Sequence, residues 1–195
     1  MTFEIIGSAR SRSFRVLWLA EELGIEYTHL PEPPRSALVS ELNPLGQIPL
    51  ARDGETVMTD SLALLYHLSD REGRFTYPPG SPERARMDAR INFILTEMEA
   101  PVWMATRHSF VLPEERRRPE IKPFLRADFK DADARFLSLL GDAEFFGGDD
   151  FTIADILAAH TIGWSLNAKF EASPDLMAYF ERLSARPAWT RTRAL

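Results

Sequence analysis

The chain has 195 residues, of which 45% are hydrophobic and 11% aromatic, so it can bury the core of one large domain or two small ones. Its net charge of −6 gives no reason to expect nucleic acid or an anionic membrane as a partner, since both need a cationic surface. Cysteine is absent, which excludes disulfides, cysteine metal sites and a thiol nucleophile of the protein's own. Any thiol chemistry must therefore use a thiol that arrives with a ligand.

No apolar run approaches the roughly 20 residues that a membrane-spanning helix needs, and the amino terminus lacks a signal pattern. We therefore expect a cytoplasmic protein without a membrane partner. The four histidines show no metal-ligand spacing, and we expect no metal site.

The first 73 residues alternate between strand and helix patterns. A short apolar strand ends at Gly7, and a helical face follows that stops at Gly24. The Asp53-Gly54 pair predicts a hairpin turn between two strands. The predicted strands are 3–6, 26–30, 48–51 and 56–58, and the predicted helices are 14–23, 36–42 and 61–72. This βαβαββα order predicts an α/β domain with a mixed four-strand sheet.

Residues 74–82 contain glycine and three prolines, which is typical of a linker. The helical patterns that follow cover 83–110, 119–140, 152–167 and 174–185. We therefore expect an α/β domain over 1–73, a linker over 74–82 and an all-helical domain over 83–195. Thr152 and Asp155 have the spacing of a capping box, which predicts a helix start.

The stretch between Asn43 and Ser61 is the most informative for function. Pro49 lies in a short apolar run but cannot donate to a sheet ladder, so Ile48-Pro49 is a candidate cis bond at a sheet edge. Asp60 and Ser61 then precede a helix, where a carboxylate, a hydroxyl and unpaired amides become available. Together these groups suit an extended peptide with an amino-acid end. The alternatives are an ordinary turn and a simple N-cap.

Four segments occur in the order found in soluble glutathione transferases, and the chain resembles that family over essentially its whole length. They are residues 11–16 (SRSFRV), 43–49 (NPLGQIP), 60–61 (DS) and 151–155 (FTIAD). The resemblance implies a thioredoxin-like amino-terminal domain that holds glutathione as cosubstrate. It also implies a helical carboxyl-terminal domain that supplies the pocket for a small apolar electrophile.

The resemblance places the cysteinyl part of glutathione on the backbone of Ile48, beside Pro49. It places the γ-glutamyl carboxylate on Ser61, and Asp60 would pair with the ammonium group. A polar side chain near Ile48 would reach the glycyl carboxylate, for which the candidates are Gln47 and Asn43.

Serine-type bacterial members of the family place the thiol-activating serine four residues before the Arg-Val pair at the helix start, which selects Ser11. Its alternative role is an N-cap of the first helix, which Ser13 suits equally well. Ser13 and Ser8 are the other candidates for activation, and Arg12 would add positive potential beside the sulfur.

For the electrophile pocket the candidates are Trp103, Met104, Arg107, Phe110 and Trp164, although aromatic residues at helical spacing are more often core. The first functional hypothesis is a glutathione transferase. The alternatives are a non-catalytic binding or regulatory module and a glutathione-dependent isomerase or peroxidase. The resemblance also implies a homodimer.

Overall fold

Four short strands form one mixed sheet in the computed structural model, which describes residues 3–195. The strands are β1 (Phe3–Ile6), β2 (Tyr27–Leu30), β3 (Leu50–Asp53) and β4 (Thr56–Thr59). Their order is β2-β1-β3-β4, with β1 parallel to β2 and β3 antiparallel to both β1 and β4. The predicted mixed sheet is confirmed. The third strand begins at Leu50 and not at Ile48, since Pro49 has no N–H for the ladder.

Three helices alternate with these strands and complete the predicted βαβαββα order. They are α1 (Ser13–Leu23), α2 (Ala37–Leu42) and α3 (Ser61–Glu72). Helix α1 ends at Gly24, whose φ of 70° is the left-handed conformation that glycine adopts without strain. Val16, Leu17 and Leu19 of α1 are fully buried, so this helix lies at the centre of the amino-terminal core.

The rest of the chain is helical, as predicted. Its α-helices are α4 (Pro82–Phe93), α5 (Ala100–Thr106), α6 (Lys122–Leu140), α7 (Ile153–Asn167), α8 (Pro174–Ser184) and α9 (Pro187–Arg193). Helix α9 is absent from the predicted elements, because seven residues are too few to show a clear helical periodicity. Within residues 3–195, no helix is both long and apolar enough to cross a bilayer.

The predicted continuous helix over 83–110 contains two π-helical segments, Ile94–Glu99 and Arg107–Val111, on either side of α5. Pro101 explains the first, since a proline cannot donate the α-helical hydrogen bond to the carbonyl four residues earlier. The N–H of Ala100 instead bonds to the Leu95 carbonyl, five residues before it. The wider π-helical turn accommodates Pro101, and the helix continues beyond it.

Helix α7 forms the centre of the helical part and starts with the predicted capping box. Thr152 Oγ1 accepts from the Ala154 N–H at 3.3 Å, and Asp155 Oδ2 accepts from the Thr152 N–H at 2.9 Å. Asp155 is fully buried, and its Oδ1 also accepts from the Tyr179 hydroxyl of α8 at 2.7 Å. The capping box is therefore buried in the core, and the Asp155–Tyr179 hydrogen bond joins the start of α7 to α8.

The chain divides into two units, and the last helix belongs to the first of them. The first unit comprises residues up to 79 and 185–195, and the second comprises 80–184. The expected helical domain over 83–195 is therefore too long at its carboxyl end. Trp189 of α9 stacks edge-on against Phe14 and Trp18 of α1, with centroids 4.7 and 4.8 Å apart. Arg186 pairs with Glu22, so aromatic packing and an ion pair both hold this segment on α1.

Candidate active site

Gly7 lies where the end of β1 meets the start of α1 and the Pro49 loop. A β-carbon at Gly7 would lie 2.2 Å from Ser13 Oγ and 3.0 Å from Ile48 Cβ, and the φ of +139° is itself unfavourable for other residues. His29 Nε2 lies 2.9 Å from the Gly7 carbonyl oxygen. The absence of a β-carbon at Gly7 therefore leaves room for Ser13 of α1 and for Ile48 beside it.

Ser11 lies in the turn just before α1 and is partly exposed. Its Oγ is 2.7 Å from the Ser8 carbonyl oxygen and 3.0 Å from Ser13 Oγ, and it accepts from the Ser13 N–H at 3.1 Å. A hydroxyl carries one hydrogen and can rotate it from one acceptor to another. Ser11 can therefore donate to a ligand at this helix start while its oxygen stays anchored on the Ser13 N–H.

The other residues proposed for thiol activation differ from Ser11 in exposure and role. Ser13 is fully buried against Gly7 and begins α1 without an N-cap side chain before it, since Arg12 takes the cap position with no capping bond. Ser8 is partly exposed, and its Oγ accepts from the Arg10 N–H at 3.2 Å. Of the two serines closest to the helix start, Ser11 is therefore the one that is partly exposed.

The loop over 43–47 is held by the side chain of Asn43. This residue is buried, its Nδ2 donates to the Gln47 carbonyl at 3.1 Å, and its Oδ1 accepts from the Leu45 N–H at 3.1 Å. Both the nitrogen and the oxygen of the Asn43 amide therefore form hydrogen bonds within the loop. Gln47 is exposed, so Asn43 positions the loop while Gln47 offers its side chain to the surroundings.

The Ile48–Pro49 peptide bond is cis, as the sequence predicted. Ile48 is partly exposed and lies outside the sheet, while Pro49 is buried. Within residues 3–195, no backbone group bonds to the N–H or C=O of Ile48. The edge before β3 can therefore pair with an extended peptide in the manner of an added strand.

Asp60 and Ser61 stand at the start of α3. Asp60 is exposed and caps the helix, with Oδ1 accepting from the Leu62 N–H at 2.8 Å. Ser61 is 2% exposed, and the buried guanidinium of Arg15 lies behind it with Nη1 3.4 Å from Ser61 Oγ. The capping role of Asp60 is therefore confirmed. It does not exclude a ligand, because the carboxylate is exposed and the helix start favours an anion.

The first turns of α1 link three parts of the candidate site, which are the Ser11 turn, the Ile48 edge and Ser61. Ser11 Oγ accepts from the Ser13 N–H, Ser13 and Ile48 both lie close to Gly7, and Arg15 reaches Ser61. Helices α1 and α3 both direct their amino termini, where the helix dipole is positive, to this part of the first unit. The arrangement suits a ligand with a carboxylate at one end and a thiolate near the other.

Of the candidate residues in the second unit, three form a cluster, namely Trp103, Trp164 and Arg107. Met104 and Phe110 are placed differently. The indole rings of Trp103 and Trp164 lie 6.1 Å apart, and the Arg107 guanidinium lies 5.9 Å from the Trp103 centroid. Met104 contacts Arg107 but also lines a cavity of about 310 Å³ between α5 and α6, and Phe110 is 70% exposed. Within residues 3–195, no group of three or more His, Asp or Glu side chains could hold a metal ion.

Family models identify both halves of the chain. Residues 10–71 match the model for the glutathione S-transferase amino-terminal domain, and residues 99–187 match the model for its carboxyl-terminal domain. The chain belongs to the glutathione S-transferase family.

Individual relatives are distant but numerous. A glutathione S-transferase of Hyoscyamus muticus is 26% identical over 169 residues, which cover 77% of this chain and 75% of the relative. The theta-1 enzyme of Rattus norvegicus is 27% identical over 157 residues, which cover 75% of this chain and 65% of the relative. The chain thus spans slightly under two thirds of the theta-1 relative.

Solved structures of the family share the whole fold. The theta-class enzyme of Xanthomonas axonopodis pv. citri, solved with glutathione bound, has a TM-score of 0.83 and 25% identity, and the match covers 98% of this chain and 96% of that one. The bacterial enzyme BphK, solved as a ternary complex, has a TM-score of 0.86 at 22% identity, with 98% of each chain covered. The thioredoxin-like fold and the helical second domain of the glutathione S-transferases are therefore both present here.

Sequence reasoning missed two residues that organise the candidate site, Gly7 and Arg15. The sequence marks Gly7 only as the end of a strand, yet Ser13 and Ile48 both lie where a β-carbon at Gly7 would clash. Arg15 is a charged residue inside the apolar run of α1 and is 1% exposed. A charge within a buried helical face was the available signal, because such a charge needs a polar partner.

Proposed function

We propose that the chain conjugates the glutathione thiolate to small apolar electrophiles. The observation that carries this proposal is that Arg15 of α1 donates to Ser61 Oγ at 3.4 Å, while Gly7, just before α1, is close to both Ser13 and Ile48. Glutathione would lie across these points, with its cysteinyl part on the backbone of Ile48 and its γ-glutamyl carboxylate on Ser61. The exposed carboxylate of Asp60 would take the ammonium group, and Gln47 the glycyl carboxylate.

Thiol activation would come from Ser11 and the start of α1. An unperturbed cysteine thiol has a pKa near 8.5, and lowering it by about two units, or about 2.7 kcal/mol, makes it mostly thiolate at neutral pH. The Ser11 hydroxyl would transfer its hydrogen bond from the Ser8 carbonyl to the sulfur, and the α1 dipole and Arg12 would favour the negative charge.

The reaction itself is a displacement or addition at an electrophilic carbon. The thiol loses its proton to solvent, and the sulfur electron pair forms the new carbon–sulfur bond. With an aryl chloride, chloride leaves with the electron pair of the broken bond. Catalysis then rests on a preformed thiolate and on proximity, and the electrophile would be held by Trp103, Trp164 and their neighbours in the second unit.

Two assays test the proposal. The protein should be retained on glutathione-agarose and eluted by free glutathione, and it should conjugate a chlorodinitrobenzene faster than the uncatalysed reaction. Retention without turnover across a panel of electrophiles would favour a binding module, and turnover of peroxides alone would favour a peroxidase. Failure to be retained and to turn over would contradict the proposal.

The proposal includes a homodimer in the cytoplasm, where thiols are kept reduced. Exposed apolar side chains on both units, such as Leu45 and Phe124, each 72% exposed, are consistent with a partner surface. Light scattering at micromolar concentration should give twice the mass of the chain. A clean monomer would contradict the dimer without affecting the assignment of the glutathione site.

A further inference from the structure

The second unit presents a pair of tryptophan rings whose faces are only partly covered. Trp103 on α5 and Trp164 on α7 are both partly exposed, and their planes are inclined by 57°. The Trp164 Nε1–H donates to Thr106 Oγ1 at 3.1 Å. Since that polar N–H has its partner inside the unit, the rest of the Trp164 indole is apolar surface.

Arg107 adds a positive charge to this surface. Its guanidinium lies 5.9 Å from the Trp103 centroid, and the side chain is partly exposed. Within the described part of the chain, residues 3–195, no carboxylate forms an ion pair with Arg107. In the described residues 3–195, the one hydrogen bond of the Arg107 side chain is to Met104 Sδ at 3.9 Å. A thioether is a weak acceptor. The charge of Arg107 is thus not neutralised within this surface.

Three other arginines of the second unit differ in this respect. Arg84 pairs with Asp88, Arg86 with Glu83 and Arg135 with Glu97. Arg107 also opens the second π-helical segment, and π-helical turns recur at functional sites. An arginine beside an aromatic ring keeps its N–H donors in the guanidinium plane, where they match the two oxygens of a carboxylate.

We propose that Trp103, Trp164 and Arg107 bind an aromatic ring that carries an anionic substituent, so that anionic aryl compounds are a preferred class of electrophile. This inference rests on the proposed function, because it assigns the electrophile to this surface. The ring packs on the indoles, and the carboxylate or a similar group accepts from the Arg107 guanidinium.

A pair of substrates separates charge from shape. With glutathione saturating, KM is measured for a neutral chlorodinitrobenzene and for a chloronitrobenzoate, whose carboxylate is the main difference. Arg107→Gln should raise the ratio of the benzoate KM to the neutral KM about tenfold, which corresponds to about 1.4 kcal/mol. Arg107→Lys should restore part of the ratio, since it keeps the charge but loses the planar donor pair.

Arg126→Gln is the matched control. Arg126 also lies over an aromatic ring of this unit, 5.8 Å from the Phe170 centroid, but it is exposed and remote in sequence from Trp103. Its replacement should leave the KM ratio unchanged. An equal change of the ratio in both variants would show a general charge effect and would overturn the inference.

Binding without turnover keeps this inference separate from the proposed function. Nitrobenzoate, which cannot be conjugated at a chloride, is titrated against tryptophan fluorescence in the absence of glutathione. The wild type should show saturable quenching, Trp103→Phe should reduce its amplitude, and Arg107→Gln should raise the dissociation constant about tenfold. An unchanged constant in Arg107→Gln overturns the inference even if neutral electrophiles are conjugated. If nothing is conjugated, the titration still decides it.

Discussion

The two units of the molecule hold their candidate residues in different ways. In the first unit, Ser11 and Asn43 are fixed by bonds to residues two to four positions away. In the second, Trp164 reaches its hydrogen-bond partner Thr106 across 58 positions, and helix packing alone brings them together. The loops of the first unit are thus fixed by local bonds, although Arg15 also reaches Ser61 across 46 positions, whereas the tryptophan pair of the second unit depends on long-range packing.

This difference means that the two units should fail differently when they are altered. A change at a turn of the first unit should remove one part of glutathione recognition. A change in the packed core of the second should lower the free energy of unfolding without a selective loss of one contact. Substitutions in each unit can therefore distinguish a loss of glutathione binding from a loss of unfolding free energy.

The largest effect is expected for Gly7→Ala. A β-carbon there would approach Ser13 Oγ to 2.2 Å and Ile48 Cβ to 3.0 Å at a φ of +139°. Overpacking and backbone strain together should cost roughly 3 kcal/mol of unfolding free energy. Urea unfolding of the intact chain measures this loss of unfolding free energy.

The control is Gly24→Ala, where φ is also positive but no atom lies within 4 Å of the added carbon, so the loss should be roughly 1 kcal/mol. Equal losses would show that the close contact at Gly7 has no role.

Asp155→Asn should come next and should act on stability alone. The carboxylate accepts from two backbone N–H groups, the Thr152 hydroxyl and the Tyr179 hydroxyl, and an amide would place a donor against some of them. Leaving a buried donor unsatisfied should cost about 2 kcal/mol. Thermal unfolding measures the loss, with the exposed Asp128→Asn as control. A raised KM for glutathione in folded Asp155→Asn protein, at unchanged stability, would contradict the structural role.

Ser61→Ala should weaken glutathione binding about tenfold, or about 1.4 kcal/mol, because the γ-glutamyl carboxylate loses a hydrogen bond. The turnover number at saturating glutathione should change much less. Calorimetric titration with glutathione measures the dissociation constant. Ser69→Ala provides the control, since Ser69 is also a buried serine of α3 but bonds to the Leu65 carbonyl. If both variants bind glutathione as the wild type does, Ser61 is not part of the site.

Local sequence signals, in both units, explain how much could be predicted from sequence. The sheet, the cis bond at Pro49 and the capping box of α7 follow from proline chemistry, turn residues and short periodic runs, and all are present. The predicted domain bounds place 185–195 in the helical domain, whereas these residues belong to the first unit, because Trp189 packs on Phe14 and Trp18 from the far end of the chain. No local pattern encodes such a contact.

The same reasoning applies to the sites. The positions of Ser11, Ile48 and Ser61 at loop ends and helix starts could be predicted, but the link between them through Gly7 and Arg15 could not, because it depends on side-chain approach in three dimensions. In the second unit, the sequence proposed five pocket residues of equal standing. Helix packing groups Trp103, Trp164 and Arg107 and leaves Phe110 exposed.

The central claim is that Ser11 turns bound glutathione into a thiolate. The direct measurement is the pH dependence of kcat/KM for glutathione with a chlorodinitrobenzene, in the wild type and in Ser11→Ala, Ser13→Ala and Ser8→Ala. We expect an apparent thiol pKa about two units below that of free cysteine in the wild type, so that the rate reaches its plateau below neutral pH. Ser11→Ala should raise this pKa by about one unit and move the plateau to higher pH, with the dissociation constant for glutathione nearly unchanged. A profile for Ser11→Ala that superimposes on the wild type, while Ser13→Ala or Ser8→Ala shifts, would contradict the account.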